Sequence, residues 1–145
     1  METAVIQNHK TTLFQNGARI ILGVFLLLAG IGHLTWSRTE FLAQVPPWLP
    51  IDPDWVVLLS GFVEIVLGLC LLFLFKQRVK VGWIVALFFV LVFPGNIAQM
   101  VEHRNAFGLD TDAARWARLP FQPVLIILAL WSTGAWQSWR NSRIN

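Results

Sequence analysis

The chain has 145 residues, 56% of them hydrophobic and only 13% charged, with a mean hydropathy of +0.61. Ordinary soluble domains carry about a quarter charged residues, and a chain this short cannot hide so much apolar surface inside a water-facing shell, which excludes a soluble globular domain. The net charge of +3 comes from bases that lie between apolar blocks and not on one face, which speaks against nucleic acid as a partner. The single cysteine, Cys70, stands within an apolar run, so internal disulfide and dithiol chemistry are excluded and the residue reads as apolar filler.

In chain order, apolar blocks occupy about residues 18–34, 55–75, 81–100 and 119–136. Each approaches the roughly 20 residues that a helix needs to cross hydrocarbon. Four such blocks with so few charges leave no polar faces to meet water. The expected fold is all-α: an integral membrane four-helix bundle, one domain over residues 1–145. Lys10 and Arg19 ahead of the apolar stretch that begins at Ile20, with Thr35 to Ser37 after the block, loosely resemble a secretory signal. A retained helix fits better, because the bases start late, Trp36 and Arg38 follow at once, and Gly30 and His33 fall inside the block.

Between the first two blocks, residues 41–50 read FLAQVPPWLP. Pro46 and Pro47 forbid a continuous helix there and the apolar residues favour the membrane surface, so Pro46, Pro47 and Trp48 read as a lid. Residues 101–118, with Glu102, His103, Arg104, Asp110 and Asp112, read as a solvated connection. Lys10, Arg19, Lys76, Arg78, Lys80, Arg140 and Arg143 collect on the side of the termini, against Arg38, Arg104, Arg115 and Arg118 on the other. The excess of bases predicts that both termini are cytoplasmic and the two longer loops external. Tryptophans bracket the spans, with Trp36, Trp48, Trp55 and Trp116 expected outside and Trp83, Trp136 and Trp139 inside.

Polar groups in hydrocarbon need a partner or a water-filled cavity. Here they are His33, Ser60, Glu64, Asn96, Gln99 and Gln122, all at mid-depth or in the outer half, and they form the candidate ligand-binding cluster. Glu64 lies ten positions beyond Asp54, about 15 Å deeper at the rise of a helix, which makes it the deepest ionisable group. Gly61, Glu64 and Gly68 share one helical face, on which small residues admit a close neighbour, and Gly30 with His33 makes a similar pair. Pro94 is expected to kink the third span and free a carbonyl beside the cluster. The alternative is that the cluster only glues helices together, which suits Asn96 and Gln122 best and Glu64 least. Neither His9 nor His103 makes a ligand-spaced set with His33, so no metal centre is expected, and no catalytic or nucleotide motif is present.

Several stretches together resemble the DoxX family of small four-helix bacterial membrane proteins. They are Gly30-Ile-Gly-His33, Val45-Pro46-Pro47-Trp48-Leu49-Pro50, Ser60-Gly61-Phe-Val-Glu64 with Gly68, Phe93-Pro94-Gly95-Asn96, and Arg118-Leu119-Pro120-Phe121-Gln122. The resemblance covers roughly residues 19–131, and position 95 departs from it with Gly in place of the expected Ala. It implies a bacterial inner-membrane location and, through the family's link to a thiosulfate and quinone oxidoreductase, a quinone-like lipid-soluble ligand. It points to His33, Glu64, Asn96 and Gln122. The leading expectation is an accessory bundle, without intrinsic cofactor, that holds such a molecule under the lid with Glu64 and His33 at its polar end. Its rivals are a membrane subunit of a quinone-linked oxidoreductase served by a partner's cofactors, and a scaffold or assembly protein. Membrane lipid, a redox or assembly partner and a second copy of the chain are the partners these readings call for.

Overall fold

The computed structural model describes residues 10–106 and 108–144, which are helical with short connections and include no strand. His9, weighed above as a metal ligand, lies outside the described residues. Helix α1 spans Leu13–Leu34, α2 Arg38–Leu42, α3 Pro53–Phe73 and α4 Arg78–Val101. Helix α5 spans Asp112–Arg118, α6 Phe121–Ser132 and α7 Ala135–Ile144. Four segments are long and apolar enough to cross a membrane: Leu13–Leu34, Pro53–Phe73, Phe75–Val101 and Asp112–Ser132. By length and composition this is a multi-pass membrane protein.

Local sequence sets the boundaries. Thr12 and Gln15 form a capping box, each side chain bonded to the other's backbone N–H, which satisfies two orphan donors and starts α1 five residues before the expected span. Asp52 caps α3 and Pro53 occupies its first turn, where a missing N–H is harmless. The fourth span differs most from expectation. The apolar run of residues 119–136 is interrupted at Gly134, whose φ of +73° ends α6, as a glycine past a helix C-terminus commonly does. Helix α7 then carries the polar sequence AWQSWRNSRI, with the Arg143 guanidinium 4.3 Å from the centre of the Trp139 ring.

The bundle is built from two antiparallel pairs, α1 with α3 and α4 with α6, the first being the more extensive. Between them Leu22, Leu26, Leu67, Leu71, Val81, Val85, Ala86, Phe89 and Ala129 form the core, with Cys70 packed half-buried against it. Glycines set the spacing of the first pair. A Cβ on Gly30 would stand 2.6 Å from the Gly61 carbonyl oxygen, and one on Gly68 would stand 2.7 Å from that of Gly23. Any larger residue would force the backbones apart.

Residues 101–118 are not a merely solvated connection. Arg115 is buried, donates to Asp112 at 2.7 Å and to the Arg104 carbonyl at 3.0 Å, and also bonds the Asn105 side chain. Arg104 in turn donates to the Val45 carbonyl at 3.2 Å. The two connections are thus tied together at one end of the bundle, the loop end; the other is the terminus end.

Candidate functional site

The glycine register determines how His33 and Glu64 meet. With Gly23 beside Gly68 and Gly30 beside Gly61, His33 is level with about residue 58, so Glu64 lies about six residues, or roughly 9 Å, deeper along α3. Helical side chains lean toward their own N-terminus, so in an antiparallel pair these two lean toward each other. The His33 side chain passes over Gly61, where an added Cβ would stand 2.6 Å from the His33 Cβ. His33 Nδ1 then reaches Glu64 Oε2 at 2.7 Å. Both side chains are buried, and the Phe41 ring of α2 lies tilted against the imidazole.

The distance is that of an ion pair, but the direction is poor. Neither Nδ1 nor Oε2 has a hydrogen-bond partner of good geometry. A carboxyl and an imidazole in contact are able to share a proton, and such a pair can pass a proton to, or orient, a third polar group.

The amides behave differently. Asn96 Nδ2 donates to Gln122 Oε1 at 3.1 Å, and Gln122 Nε2 donates to the Phe89 carbonyl at 2.7 Å. That carbonyl stands one residue before the one that Pro94 leaves without its helical donor, close to where the freed acceptor was expected. Gln44, from the loop, donates to Gln99 Oε1 at 3.0 Å and to Asn96 Oδ1 at 3.3 Å. Gln99 continues to the Arg104 carbonyl at 3.3 Å. This network joins the lid, α4 and α6. Gly95 makes room for the lid: a Cβ there would stand 2.7 Å from the Gln44 carbonyl oxygen, which is why glycine and not alanine suits this chain.

Sequence reasoning grouped six residues; the structure brings together His33 with Glu64, and Asn96 with Gln99 and Gln122. Ser60 joins neither group, because its hydroxyl bonds back to the Val56 carbonyl of its own helix. Gln44 was missed, although a lone amide within FLAQVPP was the available signal. Of the lid residues, Pro46 is buried while Pro47 and Trp48 are exposed. The latter two wall a groove of about 210 Å³ completed by Pro94, Ile97, Ala98, Val101 and Glu102. The groove is apolar, and none of the six candidate residues lines it. No cluster of metal-ligating side chains occurs among the described residues.

Fold and site together define a small helical multi-pass membrane protein with a buried His–Glu pair. The model of a family described as a domain of unknown function, DUF8561, matches residues 22–133, and the chain belongs to that family. No curated protein and no solved structure matches it.

Proposed function

We propose that this protein is an accessory membrane bundle that binds a small lipid-soluble molecule of the quinone type at its loop end. The His33–Glu64 pair, beside the Phe41 ring, engages its polar part, and the groove beside Pro47 and Trp48, which neither residue lines, is a separate apolar surface. Both termini lie in the cytoplasm and the loop end faces outward, as the distribution of Lys and Arg favours. The relation to DoxX belongs to this proposal, carried by motif residues that pair here across helices. The observation that carries the reading is the poor alignment of a buried pair. A carboxyl and an imidazole taken out of water hold two badly directed polar atoms, which a ligand hydroxyl or carbonyl would satisfy.

The test is a titration of a short-chain quinone into protein in nanodiscs, followed by tryptophan fluorescence. Saturable binding weakened about tenfold or more by Glu64→Gln supports the proposal, since a hydrogen bond to a buried charged group contributes about 1.5–3 kcal/mol. Absence of saturable binding, or equal binding by the variant, contradicts it. A second reading, a scaffold for a partner protein, is favoured by the amide network, in which Asn96, Gln99 and Gln122 already bond protein groups.

A further inference from the structure

At the terminus end, Arg19 is 7% exposed, yet it sits in α1 with apolar residues on both sides. Its Nη1 bonds the Leu71 carbonyl, the first carbonyl near the end of α3 that lacks a helical donor, so the arginine caps α3 from a neighbouring helix. Nε is buried with no hydrogen-bond partner, and among the described residues the charge makes no ion pair. Among the described residues, Glu40, Asp52, Asp54, Glu102, Asp110 and Asp112 lie at the loop end, and Glu64 lies seven residues from Leu71, about 10 Å along α3. Arg78 stands close enough for its charge to act on Arg19 and adds to the positive field.

Arg19 is six residues into α1, about 9 Å from the start of that helix, and its side chain leans back toward that start. A guanidinium placed so reaches headgroup depth. Beside it are exposed apolar side chains, Ile20 and Ile21 on α1 and Phe73 and Phe75 after α3, suited to acyl chains. We infer that Arg19, with Arg78 beside it, binds the phosphate of an anionic phospholipid headgroup between α1 and the α3–α4 turn. The planar fork of arginine matches phosphate oxygens, and basic sites between helix ends are suited to anionic headgroups.

Native mass spectrometry of the full chain, offered phosphatidylglycerol and phosphatidylcholine in equal amounts, tests this. The wild type is expected to prefer phosphatidylglycerol by about tenfold, Arg19→Gln to lose that preference, and Arg143→Gln, whose charge already stacks on Trp139, to keep it. Protection from thermal unfolding by inorganic phosphate as strong as that by phosphatidylglycerol supports the phosphate site and makes free phosphate its source. A wild type that binds both lipids equally, or an Arg19→Gln protein with full preference, overturns the inference. Should Arg19→Gln not fold, Arg19→Lys decides. Phosphatidylglycerol affinity reduced about three- to tenfold by loss of the planar fork supports the site, and unchanged affinity overturns it.

Discussion

The two helix pairs solve the same problem in different ways. Both bring polar side chains into an apolar bundle, but α1 and α3 do so at backbone contact, through Gly23, Gly30, Gly61 and Gly68, with one ionisable pair left imperfectly bonded. Helices α4 and α6 meet through a chain of neutral amides that bond one another, the Phe89 carbonyl and the lid. Satisfied neutral amides are glue and gain nothing from a ligand. A misaligned His–Glu pair has unmet bonding capacity, so the proposed ligand site falls to the first seam, while the amides of the second are already spent on the protein itself.

The largest effect that separates them is steric. Gly30→Ala is expected to cost about 2–3 kcal/mol, because its Cβ meets backbone and the stiff Ile65 side chain. Gly17→Ala, with nothing within 4 Å, is expected to be neutral or stabilising by up to about 1 kcal/mol through helix propensity. Equilibrium unfolding in mixed micelles compares the two. Gln122→Leu should lose about 1–2 kcal/mol in the same assay, since it leaves the buried Asn96 amide N–H without its acceptor and removes a second bond to the Phe89 carbonyl, without disturbing the first seam. A smaller change, about 1 kcal/mol, is expected for Gly95→Ala, and its signature is local: faster amide hydrogen exchange at residues 43–45 and 48 as the lid lifts from α4. Ser60→Ala should shift stability by less than about 0.5 kcal/mol, because its hydroxyl bonds only its own helix. A large loss there would mean that Ser60 belongs to the first seam after all.

How much of this was legible follows from what each signal depends on. Spans and the glycine face were readable because hydropathy and helical spacing are local properties, and Gly61, Glu64 and Gly68 do face α1. The break at Gly134 was hidden inside a run that is apolar on both sides of it. The division of the polar cluster was not readable, since it depends on which helices pair. Ser60 and Glu64 share a helix face by spacing, yet the hydroxyl turns back to Val56. Arg19 looked like a flanking charge of the first span, and only the position of Leu71 on a neighbouring helix makes it a buried cap.

The most direct measurement is organic extraction and mass spectrometry of whatever copurifies with the gently solubilised protein, comparing wild type, Glu64→Gln and Gln122→Leu. The account predicts a stoichiometric lipid-soluble molecule in the wild type, retained by folded Gln122→Leu and lost from folded Glu64→Gln. Bulk lipid alone in all three, or a ligand lost with Gln122→Leu and kept with Glu64→Gln, would contradict it.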